Sequence, residues 1–247
     1  MTNTQTHTQA ARDSAPAIHD LPANFMLDAA TYAAAAEAGY DGISFYIAGR
    51  GGVLGDVDAD TVTEAFVFFP AETVHAGWES TAGVETRDRS ARRFAEAGHR
   101  WACEHMAADA VDYRRLAELA GVVIAAADGS AAPVFAGWRE LPEPSGDREL
   151  VLHRLNALRE LRAARHEDAI REVGLEPVDA VMVQSPFMAS IFGWPEPESA
   201  PDETTVQKWE RAEELTNERF GADLAALDPD ELSEFCELAL AAKATAK

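Results

Sequence analysis

Residues 49–55 read Gly-Arg-Gly-Gly-Val-Leu-Gly, between an apolar run, "ISFYIA" (43–48), and a helix-like stretch, "DADTVTEAFVFF" (58–69). Apolar run, glycine loop and helix in this order can mark a phosphate-binding loop, and with it an α/β nucleotide-binding fold. The details argue otherwise. A dinucleotide loop needs G-x-G-x-x-G, and here the last glycine, Gly55, falls one place late. No G-K-[ST] closes the loop, and no alternation of strands and helices follows it. Asp56, Asp58 and Asp60 would suit a helix N-terminus but repel a phosphate. They do not form an EF-hand either, because its glycine position is Thr61 and its closing glutamate position is Val67. The reading is a tight turn followed by a helix capped by Asp58 or Asp60, and the fold class is mainly α.

The rest of the chain supports that class. The spacing predicts helices over 27–39, ending at Gly39, and over 86–121, as one helix or two with Gly98 as the weak point. A Pro/Gly-rich loop occupies 127–147. Leu150, Leu155, Leu158 and Leu161 then carry an apolar face that Gly174 closes. Residues 175–201 are short pieces broken by five prolines. A helix over 204–220 stops at Gly221. The last one opens with Asp228 as N-cap, Pro229 as first residue and Glu231 as capping-box partner, and buries Leu232, Phe235 and Ala239. Only "GISFYI" (42–47) and "GVVIAAA" (121–127) could be strands, and both also fit buried helix turns.

The 247 residues are 47% apolar, 8% aromatic and 26% charged, enough to bury a sizeable core. No apolar run reaches the ~20 residues of a membrane span. The polar start lacks the apolar segment of a secretory signal and reads as a disordered tail over 1–16. Two distant cysteines, Cys103 and Cys236, fit reduced thiols and a cytoplasmic location. The net charge of −22 argues against nucleic acid as a partner, since phosphate binding needs lysine and arginine.

Three stretches carry a resemblance. "AGRGGVLG" followed by "VTEAFVFFP" is similar to a segment A-G-R-x-x-P-L-G followed by V-F-Y-N-F. "PVFAGWRELPEP" is similar to P-L-F-A-A-N-x-x-L-P-x-P. "LRELRAARHEDAIREVGL" is similar to L-R-E-H-R-G-D-G-H-V-A-A-L-x-x-A-G-L. Together, over about residues 20–176, they resemble the SalK-like or EvbL-like bacterial family, which carries a helix-turn-helix label. The late helix fits as well. The resemblance implies a helical domain over 17–175 and a degenerate winged-helix-like helical region over 176–247. It also implies a place in specialised, antibiotic-type metabolism, with no defined reaction and no named cofactor.

The departures are specific. The family's asparagine in V-F-Y-N-F falls on Phe68, its first helix histidine on Leu161, and its G-D-G on Ala163-Ala164-Arg165. Its early histidine has no clear counterpart, with His19 a few positions off. A winged helix also needs a recognition helix and a wing. This chain offers the acidic "PEPESAPDETT" (195–205) and then "VQKWERAEEL" (206–215), with two basic residues against three glutamates.

The residues that match, Arg159, Glu160, Arg162 and His166, lie on one helix, with Arg159, Arg162 and His166 on a shared face. They form a candidate site with Arg50 of the glycine stretch: His166 as catalytic acid or base, and Arg50, Arg159, Glu160 and Arg162 as ligand-binding groups. The alternative is a solvated face paired with Glu160, Glu167 and Asp168. His99 and Cys103, four apart beside Glu104 and His105, do not complete a metal set. His75, with Trp78 and Glu79, reads as packing. The expected function is a small-molecule-binding protein, either an enzyme or an accessory protein. The alternatives are a ligand-responsive regulator of winged-helix descent and a structural or partner-binding helical protein. The late helices offer a face for a homodimer.

Overall fold

The computed structural model describes residues 6–196 and 199–246, and among them it contains thirteen α-helices and no strand. The glycine stretch is helical. α3 (Gly42–Gly51) runs through Gly49 and Arg50, and a 3-10 turn (Gly52–Leu54) follows before α4 (Ala59–Ala65). Glycine is needed here for close packing. A Cβ on Gly52 would sit 2.3 Å from the Arg87 carbonyl oxygen at the start of α6 (Arg87–His105). Asp58 caps α4 as expected, accepting the Thr61 N–H at 2.8 Å.

The long helix α9 (Asp147–Val173) forms the axis of the molecule and ends at Gly174, whose φ of +63° is the left-handed cap conformation. Around it pack α6, α7 (Tyr113–Ala126), α8 (Pro133–Trp138), α12 (Glu203–Leu224) and α1 (His7–Leu27). The break expected at Gly98 falls instead at Met106–Asp112, and α7 passes straight through Gly121, so "GVVIAAA" is helix. α13 (Pro229–Thr245) has the expected capping box, with Asp228 accepting the Asp230 and Glu231 N–H groups. Leu232, Phe235 and Ala239 are buried.

The tail expected over 1–16 is corrected from His7 onward; residues 1–5 lie outside the described residues. Thr6 caps α1, and Ala10, Ala11, Ser14 and Ala17 are fully buried, on a helix that packs on α12 and α13. The alanines lack the bulk that marks an apolar face in sequence, yet they let helices approach closely. Gly221 shows how closely: a Cβ there would lie 2.9 Å from the His7–Thr8 backbone, and α12 continues past it to Leu224.

The boundary expected near residue 175 does not separate two cores. Phe220, Leu224, Phe235 and Ala239 share one apolar cluster with Ile18, Leu21, Phe94 and Leu158. No strand among the described residues forms a wing, and α12, in the place of a recognition helix, packs along α9 and α1. Part of the acidic proline stretch, residues 197–198, lies outside the described residues.

Candidate functional site

The stretch of α9 from Arg159 to Glu167 brings most of the expected site residues into one polar layer. Arg50, in the last turn of α3, is buried, and its guanidinium grips Glu160. Its Nε lies 3.1 and 3.0 Å from Oε1 and Oε2, and its Nη2 lies 2.7 Å from Oε2. The Phe66 ring lies 4.2 Å from Arg50 Cζ, and Trp138 Nε1 donates to the Arg50 carbonyl at 3.4 Å. Arg159 Nη1 donates to Glu160 Oε1 at 3.0 Å. Burial raises the Glu160 carboxyl, but the charges of Arg50 and then Arg159 outweigh it and hold the group below the usual range. Burial likewise opposes the Arg50 charge, and Glu160 restores it, so Arg50 stays protonated.

Arg162 and His166 turn to α12. Arg162 Nη2 donates to Glu213 Oε2 at 2.9 Å and to Asn217 Oδ1 at 3.4 Å. His166 Nδ1 lies 2.9 Å from Thr216 Oγ1, whose own hydroxyl donates to the Ala212 carbonyl at 2.7 Å. That hydroxyl must therefore accept from Nδ1–H, which leaves the lone pair on Nε2. Burial, against Glu213, pushes the His166 pKa down to about 4. At neutral pH the ring is uncharged, so the expectation of an acid or base narrows to a neutral imidazole. Phe68 stacks on this ring at 5.6 Å and 22°.

Three features were not visible in the sequence. Glu167, half-buried, is pushed up to about 7, chiefly by burial and against Arg50. Glu213, from α12, joins Arg162 to His166. Towards the start of α9, His153 Nδ1 meets His99 Nε2 at 3.2 Å beside a cavity with room for about one water. Asn156 lines that cavity with both amide atoms buried and unpartnered. Thus His99 pairs with His153 rather than with Cys103, which is exposed. His75 meets Asp60 at 3.0 Å. Among the described residues no group of three His, Cys, Asp or Glu could hold a metal ion.

Residues 11–246 match the model of a helix-turn-helix family. The chain belongs to that family. Comparison with curated proteins and with solved structures finds no significant match. Within the helix-turn-helix family chain, two short helices, α10 (Pro177–Gln184) and α11 (Pro186–Phe192), meet at Ser185. α11 reads "PFMASIF" and holds none of the Arg, Lys, Asn or Gln that read bases. The cations of α12 are held within the protein: Lys208 by the Gly174 carbonyl, Arg211 by Glu214, and Arg219 by Glu172. No helix among the described residues is long and apolar enough to cross a membrane.

Proposed function

We propose that this member of the helix-turn-helix family is a small-molecule-binding protein of the SalK-like type, acting in specialised metabolism as an enzyme or accessory binder. The ligand site is the polar layer between α3, α9 and α12. The supporting observation is that Arg159 and Arg162 each keep a buried Nε–H with no protein partner, about two turns and one turn respectively before the neutral His166 and Glu167. Buried donors in native proteins are nearly always satisfied, so two unpaired guanidinium N–H groups fit a ligand that supplies acceptors. Arg50 and Glu160 position the layer, since each is already occupied by the other. Phe68 covers the imidazole, so this chain accepts a different ligand from relatives that carry asparagine there. Glu167, titrating near neutrality, is the group able to exchange a proton with that ligand.

Native mass spectrometry of the protein purified from its own host, beside Glu167→Gln and His166→Ala, tests the reading. A small molecule bound to the wild type and lost from both variants is the expected result. A wild type without bound mass, and with thermal stability insensitive to a metabolite extract of the host, overturns it.

A second reading, a ligand-responsive regulator, is favoured by the family match. It requires salt-dependent DNA retention in an electrophoretic shift assay, against a net charge of −22.

A further inference from the structure

The helix pair α10–α11 has a surface that the polar layer does not use. Phe187 and Ile191, four residues apart on one face of α11, are 66% and 47% exposed. Beside them runs a groove lined by Met182, Pro186, Ala189, Ser190, Trp194 and Pro195. The other large exposed apolar side chains among the described residues, Leu27, Val122 and Leu240, stand singly on α1, α7 and α13. Single exposed apolar residues are ordinary, whereas a paired face beside an apolar groove marks an interaction site.

The helix is not loosely placed. Phe192 packs on Phe69 at 4.2 Å, and Trp194 Nε1 donates to the Phe68 carbonyl at 2.9 Å, so the end of α11 is anchored to the segment that carries Phe68 and Phe69. The exposed pair is thus held outward by a fixed support.

The charge around this face selects the occupant. Between Arg171 and Lys208 the sequence contains no Lys, Arg or His, while Glu176, Asp179, Glu196, Asp202 and Glu203 all fall there. Glu196 is itself on the groove wall. A largely apolar groove with Glu196 on its wall, in a segment that carries carboxylates and no cation of its own, complements a segment with apolar anchors flanked by lysine or arginine. A second copy of this chain, at −22, brings the wrong sign. DNA and anionic lipid are repelled for the same reason.

We infer that the α10–α11 face docks a basic amphipathic helix of a partner protein, with Phe187 and Ile191 as the apolar anchors. The α10–α11 pair would then meet a protein surface rather than a base sequence. The surface is separate from the polar layer, and the inference stands whether or not a small molecule binds there.

Fluorescence anisotropy with a synthetic Leu/Lys amphipathic helical peptide tests it on the full chain. A Ser/Lys peptide of equal charge serves as the probe without apolar anchors. The wild type is expected to bind the Leu/Lys peptide, more weakly as salt rises, and the Ser/Lys peptide far more weakly. The double variant Phe187→Ser/Ile191→Ser keeps the net charge and is expected to lose affinity by about tenfold or more, the scale of a buried apolar anchor. Its thermal melt, read by circular dichroism, is expected to match the wild type; Ile191→Thr alone, expected to lose part of the affinity, repeats the test should the double variant melt early. Equal binding by wild type and variant, or no binding by the wild type, overturns the inference. So does self-association of the wild type that the variant abolishes, or equal affinity for neutral phosphatidylcholine vesicles.

Discussion

α9 and α11 invert the usual placement of residue types. α9 buries charge: Arg50 meets Glu160 in its middle, with Arg162, Glu213 and His166 within the next two turns. α11 exposes apolar surface, with Phe187 and Ile191 outward. The difference teaches that the partner, more than the residue, decides what a position costs. A buried ion pair adds little net stability, but each half depends wholly on the other. An exposed phenylalanine contributes almost nothing to folding, so its outward placement on an anchored helix points to function outside the chain.

The contrast is broken most severely at Glu160. Glu160→Ala leaves the Arg50 guanidinium buried without its carboxylate and is expected to destabilise the protein by about 3–5 kcal/mol in urea unfolding. A loss under ~1 kcal/mol would show that water reaches Arg50 and that the layer is not closed.

Gly52→Ala tests how that layer is positioned. The added methyl meets the Arg87 carbonyl, so α3 must shift against α6 and carry Arg50 with it; the expected cost is about 1–3 kcal/mol, read from the shift in Tm.

The pH dependence sharpens the comparison, because titrating groups gather along α9. His153 and His166 are both depressed to about 4 in the folded protein. Below the ordinary histidine value the unfolded chain takes up protons that these rings refuse, so stability falls as pH drops from about 6.5 towards 4. Glu167 acts in the opposite sense. Its carboxyl is raised to about 7, so the folded state holds a proton that the unfolded state has lost, and stability falls as pH rises through 4.5 towards 7. Where the windows overlap the two histidines outweigh the one carboxyl, and the maximum is expected near the top of the histidine window. Glu167→Gln is expected to remove the fall on the alkaline side up to about 7 and to steepen the rise between about 4.5 and 6.5, where the carboxyl opposes the histidines, as read by thermal melts across pH.

The smallest effect is expected on the other helix. Phe187→Ser should change stability by no more than about 0.5 kcal/mol in the same urea assay, while lowering retention on a hydrophobic-interaction column. A larger loss would mean that the side chain packs in solution and would end the contrast.

Much of the local structure was legible. Asp58, Asp228 and Gly174 cap helices where the residue types suggested, and the buried stripe of α13 follows its spacing. The site was legible in part. Arg50 and Glu160 were both singled out, yet their mutual bond, across 110 positions, was not foreseeable from either segment. Glu167 carries an ordinary sequence signature, and only its burial beside Glu160 and Arg50 displaces it. α1 was misread because alanine and serine show their use only when a second helix comes close. The tight turn expected over 49–55 holds from Gly52 to Gly55, whereas Gly49 and Gly51 lie in α3, where they serve close packing.

The sequence by itself determined a helical chain, its caps and stops, and an acidic surface unsuited to phosphate. These follow from periodicity, capping chemistry and charge, which act within a few residues or sum over all of them. The tertiary structure alone decided that α1 and α12 share a core, that Arg159, Arg162 and Arg165 of α9 answer to the protein's own carboxylates, and that one apolar helix face stays open. Each of these depends on which surfaces meet, and so on contacts between residues far apart in the chain.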